Sequence, residues 1–402
     1  MSDRDIFRAL GGLLSLPAWW MQRLGRRDPA LWVFGAWYGN LYNDNSRAMF
    51  EWVVANHPEI TAVWITDSPE VYKDLSSQGL RVAYKSSREG RRLCRRSSLA
   101  FVSTAASDVC HRQLNGCKIV MLWHGCPIKL IGNDARRFMV KNTVWKRIKT
   151  FVRRLVLPWE FIRYDMVCSL SEFFSPIFCS AFGIKPQVNA ITGLPRNDAL
   201  FSGGDHLSAM IEARWKGSTK IVYMPTFRDT VTGEGLAFNP FEGYGFDADR
   251  LGEILEKNNM VFIYKGHYYD LQRGSSLFHA LSDRFLCISD RDYDDLYHFL
   301  GGTDILITDY SSVFFDYIIT GKKVILAPFD YDEYIHVSRP FYFDYSLMEA
   351  TRAKDWNAIC EILSQGEAAP APQACISRFN AFTDADSRSR VYGEVINRFY
   401  NN

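Results

Sequence analysis

No two of the nine cysteines form a C-x-x-C pair; they stand singly at positions 94, 110, 117, 126, 168, 179, 287, 360 and 375. Without thiols at ligand spacing, neither a zinc site nor a redox dithiol is indicated. Reduced, buried thiols of a cytosolic protein are expected instead. Little charge of either sign is left over. Forty-seven Lys and Arg face 45 Asp and Glu, a net charge of +2, so bulk charge gives no reason to expect a nucleic-acid partner. Long uninterrupted apolar runs are missing too. The stretch from Ile6 to Arg27 is broken by Arg8 and Pro17, short of the roughly 20 apolar residues a membrane span needs. It has no small-residue cleavage site, so no secretory leader is expected. Internal repeats and low-complexity tracts are also absent.

What is present is apolar and aromatic. Of 402 residues, 47% are hydrophobic and 15% aromatic, enough for two ordinary cores and too many for disorder. From Leu31 onward, short apolar runs alternate with helix-like stretches. Strands are predicted at 31–37, 61–66, 81–84, 99–104, 118–124, 166–171 and 188–193. Helices fall between them, one over 45–56 with Asn45 as its cap. After a glycine-containing break near 195–218 the pattern restarts, with strands at 220–226, 260–267, 285–289, 304–310 and 323–328. Strands alternating with helices imply parallel sheets covered on both faces. Two such series imply an α/β protein with two Rossmann-like domains. The last stretch, from Cys375, reads as helical and as crossing back to the first domain.

In open parallel sheets, ligands bind beyond the carboxyl ends of the strands. Polar residues gather at five such ends here. "DILITDYSSVFFDY" runs from a buried strand through Asp309 to Ser311 and Ser312, which open a helix. Unpaired amides and added hydroxyls there suit a phosphate; simple serine capping is the plainer alternative. Asp316, one turn on, is placed to reach a ribose hydroxyl. "VFIYKGH" delivers Lys265, a point charge for phosphate, and His267, a donor or proton carrier. "MLWHGCPIK" delivers His124 and Gly125, the latter allowing close backbone approach to a ligand. "ITGLPRND" delivers Arg196 and Asn197. "YMPTFRD" delivers Thr226 and Arg228, and arginine suits bidentate phosphate contacts. No acidic metal cluster is visible, so no metal site and no cofactor are expected; a Mg²⁺ carried in on a donor diphosphate is compatible with this.

Taken in order, these motifs resemble the CDP-glycerol glycerophosphotransferase family, the teichoic-acid primase and polymerase type. The likeness rests on "WHGCPIK" (123–129), "SEFFSPIFCSAFG" (171–183), "TGLPRND" (192–198), "MPTFRD" (224–229), "YKGH" (264–267), "DILITDYSSVFFDY" (304–317), "FDYDEY" (329–334) and "RPFYFDY" (339–345). It implies a GT-B fold with the site in the cleft between two domains. Residues 1–200 would form an acceptor and membrane-binding domain and 201–375 a CDP-glycerol-binding domain. Residues 376–402 would be the returning helical segment. The implied reaction moves glycerol phosphate from CDP-glycerol to a hydroxyl and releases CMP, building a teichoic-acid-like or capsular polymer. The resemblance implies His124 as general base and His267 at the donor diphosphate. It places Thr226, Arg228, Ser311, Ser312 and Asp316 on the nucleotide, with Lys265 beside them. Asp309, Gly125, Arg196 and Asn197 line the cleft. Two other readings stay open: the same fold with CDP-ribitol or a nucleotide sugar, and a catalytically silent assembly factor for polysaccharide export.

One segment points to lipid. Between Arg136 and Arg163 nine basic residues face the single acid Glu160. Trp145, Ile148, Val152 and Leu155 recur at helical spacing. A basic amphipathic helix of this kind lies on anionic lipid. The expectation is a peripheral protein on the cytoplasmic face of the bacterial membrane, acting on a lipid-linked or glycan acceptor. Residues 6–27, with Trp19 and Trp20, supply either a second anchor or a helix packed on the body.

Overall fold

The computed structural model describes residues 13–139, 143–226, 228, 238–266 and 282–401. Two parallel sheets dominate. The first contains β1 (Asp28–Gly35), β2 (Thr61–Thr66), β3 (Val82–Tyr84), β4 (Ser97–Val102), β5 (Lys118–Met121), β6 (Met166–Ser169) and β7 (Asn189–Ile191). Their order is β3-β2-β1-β4-β5-β6-β7. The second contains β8 (Thr219–Met224), β9 (Met260–Tyr264), β10 (Phe285–Cys287), β11 (Ile305–Thr308), β12 (Lys323–Leu326) and β13 (Thr351–Arg352). Their order is β10-β9-β8-β11-β12-β13. This is the GT-B architecture. Each sheet reverses its winding once, between β1 and β4 in the first and between β8 and β11 in the second. Crevices open at such reversals, because the connections on either side leave in opposite directions.

The strands are short and apolar on both faces because helices cover both. Trp32, Phe34 and Phe101 point to one side of the first sheet, and Val33, Ala100 and Val102 to the other; all are buried. Aspartate and serine caps start several covering helices. Asp295 accepts from the N–H groups of Tyr297 and His298 at the start of helix Leu296–Gly301, and Ser68, Ser87, Asp205, Asp247 and Asp355 do the same elsewhere.

Two local expectations change. The helix after β1 spans Asp44–Asn56 and has no side-chain cap. Asn45 is drawn inward instead, where it serves tertiary contacts described below. The helix after β11 is only Val313–Tyr317; it tightens into a 3₁₀ turn, Ile318–Thr320, and ends at Gly321 with φ +68°. A left-handed stop of this kind suits glycine, which carries no Cβ to clash.

A strand bridge and the final helix are among the links between the halves. A two-residue antiparallel bridge joins Lys129 to Phe341, flanked by Leu130 N–H to the Pro340 carbonyl at 2.9 Å and Tyr342 N–H to the Ile128 carbonyl at 2.8 Å. The final helix, Ser387–Phe399, returns to the first sheet, where Val391 and Val395 pack with Trp32 and Phe34. Asp198 fixes its start by accepting from Ser387 N–H (2.9 Å), Arg388 N–H (3.0 Å) and Arg388 Nε (2.8 Å).

Replacing Asp198 by Ala strands two backbone donors at a helix start, a loss of about 1–3 kcal/mol for each unsatisfied buried group. Urea unfolding of Asp198→Ala is therefore expected to show a lower midpoint than the parent protein, with exchange protection lost first in residues 387–399.

Candidate active site

The loop that follows β5 in the first half faces the loops at the reversal of the second sheet. A cleft of about 230 Å³ lies between them, lined by Trp123, His124, Gly125, Lys129 and Ile131 from the first half and by Thr226, Tyr310, Ser311, Ser312 and Arg339 from the second. Histidine and serines from opposite halves of the chain thus share one surface.

His124 follows β5. Its Nδ1 lies 3.0 Å from the Ser103 carbonyl. A carbonyl can only accept, so Nδ1 carries the proton and Nε2 keeps its lone pair. The imidazole is flanked by Trp123 (centroids 3.9 Å) and Trp37 (5.2 Å). Burial pushes its pKa below the ordinary 6.5, and the nearby Arg196 charge acts in the same direction. Asp44 and the Ser103 carbonyl oppose them without overcoming them. The ring is thus neutral at neutral pH, with one free basic nitrogen, as a general base requires.

The backbone around it is strained and braced. Trp123 has φ +59° and Gly125 φ +139°. A Cβ on Gly125 would lie 2.5 Å from Ser312 Oγ and 3.3 Å from Arg196 Nη2, so glycine is needed for the two halves to meet. On the same side as His124, Trp37 and Tyr38 have φ +46° and +60°, each costing about 1–3 kcal/mol for a residue with a side chain. Asp108 holds them there: its Oδ1 accepts from Tyr38 N–H at 2.8 Å, and its Oδ2 from Ser103 and Thr104 N–H at 3.0 and 2.7 Å. Burial raises Asp108 to about 6, against the pull of these N–H groups.

Arg196 is buried where the halves touch. Its Nη1 donates to Asp44 (2.6 Å) and to the His124 carbonyl (3.0 Å), and its Nη2 to Asp316 (2.8 Å). Asp316 also accepts from Asn197 Nδ2 (3.1 Å) and from Tyr297 Oη (2.7 Å). Asn45 completes the set, its Nδ2 donating to the Trp123 carbonyl (2.9 Å) and its Oδ1 accepting from Arg196 N–H (3.0 Å). Asp316, expected at a ribose, has a fully buried carboxylate in this structure that accepts from three side chains and does not line the cleft. Arg196 and Asn197 sit at this junction and are not among the residues lining the cleft.

A second ionic cluster lies behind the cleft floor. Arg228 makes a bidentate pair with Asp330 (2.7 and 2.8 Å) and approaches Asp309 at 2.8 Å. It is 2% exposed, so in this structure it faces carboxylates and not an open phosphate position. Asp309 Oδ1 in turn accepts from Thr226 N–H (2.8 Å) and Oγ1 (2.5 Å), fixing the loop after β8. Ser312 occupies the cap position of its helix without using its side chain to cap, and Ser311 Oγ is 3.4 Å from Val313 N–H. Ser311 thus makes a long capping contact and Ser312 makes none, and both hydroxyl-bearing residues line the cleft. Lys265 pairs with Asp290 at 3.0 Å beyond the cleft lining. His267 lies outside the described residues.

Sequence reasoning misses Trp37, Asp44, Asn45, Asp108 and Tyr297 as site residues, because they act on the site only through the fold. Lys129 and Arg339 are within its reach, since both stand inside the motifs singled out above.

Comparison with known proteins gives one family. The model described as CDP-Glycerol:Poly(glycerophosphate) glycerophosphotransferase matches residues 19–397. The teichoic acid glycerol-phosphate transferase of Staphylococcus aureus is 26% identical over 321 residues, 78% of this chain and 77% of that protein. The teichoic acid poly(glycerol phosphate) polymerase of Staphylococcus epidermidis is 25% identical over 79% of this chain. The chain spans 43% of that polymerase's length. The solved structure of the wall teichoic acid polymerase TagF shares 21% identity and a TM-score of 0.69, covering 99% of this chain and 98% of that one, which establishes the common fold.

His124 is expected to titrate below 6.5 when followed by NMR of its ring protons. Asp44→Asn should lower the value further, because it removes a carboxylate that favours the protonated ring while the Arg196 charge stays in place. A midpoint above 6.5 would contradict the neutral-base assignment.

Proposed function

The chain belongs to the CDP-glycerol:poly(glycerophosphate) glycerophosphotransferase family, and from that premise we propose that it transfers glycerol phosphate from CDP-glycerol to an acceptor hydroxyl, releasing CMP. The observation that carries this reading is the single cleft holding His124 on one wall and Thr226, Ser311 and Ser312 on the other. The donor diphosphate sits against the hydroxyls and amides after β8 and β11. The acceptor enters from the first half. Nε2 of His124 takes the hydroxyl proton as the acceptor oxygen bonds to the glycerol-bearing phosphorus. The bond from that phosphorus to the bridging oxygen breaks, and CMP leaves with its electrons. Such transfers depend on positioning and charge neutralisation more than on covalent chemistry. The braced loops after β5, β8 and β11 are suited to that task.

A general base typically contributes about 10²–10⁴-fold. His124→Ala is therefore expected to lower kcat by a factor in that range, with CDP-glycerol affinity by calorimetry little changed. Ser311→Ala with Ser312→Ala should show the converse, weakened donor binding with an intact base. Near-normal turnover by His124→Ala would remove the proposed mechanism. Release of UDP from a nucleotide sugar, and no CMP from CDP-glycerol, would favour the nucleotide-sugar reading.

A second reading concerns where the reaction occurs. Helices Gly132–Met139 and Val144–Val156 carry Phe138, Trp145, Ile148, Phe151 and Leu155 on the outside, Trp145 at 80% exposure. The N-terminal helix, 13–21, splits its tryptophans: Trp19 is buried against Trp159 at 5.8 Å, while Trp20 is exposed with Leu14 and Met21. No helix among the described residues is long and apolar enough to cross a membrane. An apolar patch rimmed by Arg147, Lys149 and Arg154 fits the surface of an anionic bilayer, and we assign this face to the cytoplasmic side of the bacterial membrane. Each cation near such a surface contributes about 1 kcal/mol. Replacing Arg147, Lys149 and Arg154 by Gln is expected to cut co-sedimentation with phosphatidylglycerol vesicles at least about tenfold, and salt should do the same to the parent protein. Turnover on a soluble acceptor should stay unchanged. Equal, salt-insensitive binding would refute the lipid assignment.

A further inference from the structure

The reversal of the second sheet, between β8 and β11, holds the proposed donor site. The reversal of the first, between β1 and β4, has no assigned occupant, yet it is built with equal care. Its two loops are those of Trp37–Tyr38 and Ser103–Asp108. Asp108 binds both at once, through Tyr38 N–H and the N–H groups of Ser103, Thr104 and Ala105. Thr66 Oγ1 donates to the Gly39 carbonyl at 2.8 Å, and Lys85 Nζ donates to the Tyr38 carbonyl. Core packing alone does not explain this bracing, because the side chain it presents is half in solvent: Tyr38 is 52% exposed. Its neighbour Trp37 lies against the ring of His124.

Tyr164 lies nearby, within electrostatic reach of Tyr38, Asp108 and Arg136. Its ring meets Phe182 (5.6 Å), which meets Trp123 (4.9 Å), which meets His124. Neither the Tyr38 nor the Tyr164 hydroxyl is hydrogen-bonded among the described residues. Arg136 is exposed on helix Gly132–Met139, next in sequence to the apolar outer helix. Aromatic faces, unengaged phenol hydroxyls and one exposed guanidinium, all leading to the base, match a ligand that is hydroxyl-rich and carries phosphodiesters. Aromatic rings with a polar tip contact the carbon edge of such a chain while their hydroxyls donate to its oxygens. The guanidinium suits the phosphate.

We propose that Trp37, Tyr38, Tyr164 and Arg136 form the acceptor subsite, which holds the hydroxyl-terminated end of a polyol-phosphate chain against His124. The assignment rests on the transferase reading for its ligand class but not for its geometry. The chain would approach from the side of helix Gly132–Met139, whose apolar sequel faces outward, so a lipid-linked acceptor reaches the base without crossing the donor half.

The test uses the full chain, a fluorescently labelled oligo(glycerol phosphate) for direct binding, and calorimetry with CDP-glycerol. Tyr38→Asn removes the ring while keeping a residue that tolerates positive φ. It is expected to weaken oligomer binding about tenfold, the factor 1.4 kcal/mol represents, with CDP-glycerol affinity unchanged. Tyr164→Phe, a change that spares the packing, should weaken oligomer binding to a smaller degree. It keeps the test valid if Tyr38→Asn fails to fold. Unchanged oligomer binding in both variants would overturn the subsite, as would equal weakening of oligomer and donor. If the parent protein binds the oligomer through Tyr38 but releases no CMP from CDP-glycerol, the transferase reading fails and the subsite stands.

Discussion

A guanidinium carried into the boundary between two domains has to be matched there, and Arg196 is matched at both terminal nitrogens, while its Nε has no hydrogen-bond partner among the described residues. It meets Asp44 from the helix after β1, Asp316 from the helix after β11, and the carbonyl of His124. Removing one partner of such a buried pair typically costs about 3–5 kcal/mol, because a charge is left uncompensated. The bonds are also directional. A planar guanidinium satisfies two carboxylates and a carbonyl only in one relative placement of the two sheets. The same contacts therefore set how far His124 stands from Ser312, with Gly125 leaving no room for a side chain between them.

The rest of the site follows the same logic of fixed loops on stiff sheets. In the second half, Arg228, Asp309 and Asp330 form a closed ionic cluster under Thr226. In the first, Asp108 gathers four backbone N–H groups and holds two residues at positive φ. Neither cluster needs to touch a ligand. Each spends its hydrogen bonds on loops that would otherwise be mobile, so that hydroxyls and a neutral imidazole are in place when a substrate arrives. Exposed apolar side chains are confined largely to the outer helices of the first half, and this separates the surface suited to lipid from the cleft suited to phosphate.

Much of this is legible in the amino-acid sequence. The two series of strands, the break between them and the motifs at strand ends follow from apolar periodicity and local chemistry, and β1 to β12 all fall within or beside the predicted runs. His124, Gly125, Thr226, Ser311 and Ser312 stand out as polar or small residues at strand ends, and they do line one cleft. Asp316 and Arg228 depart from expectation for one reason. A charged residue near a phosphate-binding motif looks like a ligand contact in sequence, whereas the burial and partners that decide its role come from elements far along the chain. Asn45 departs similarly: a local cap signal loses to long-range carbonyl and N–H partners. The strained pair Trp37–Tyr38 carries no signal, since nothing in its residue types announces positive φ.

The sequence by itself determined the elements, their parallel pairing and the chemistry available at each strand end, because those depend on side-chain periodicity and on neighbours within a few residues. Only the tertiary structure decided which of those groups are used up and which face the cleft. Hydrogen bonds and ion pairs of Arg196, Asp316, Asp108 and Arg228 join segments distant along the chain, and the burial that makes them strong exists only once the two sheets have closed on each other.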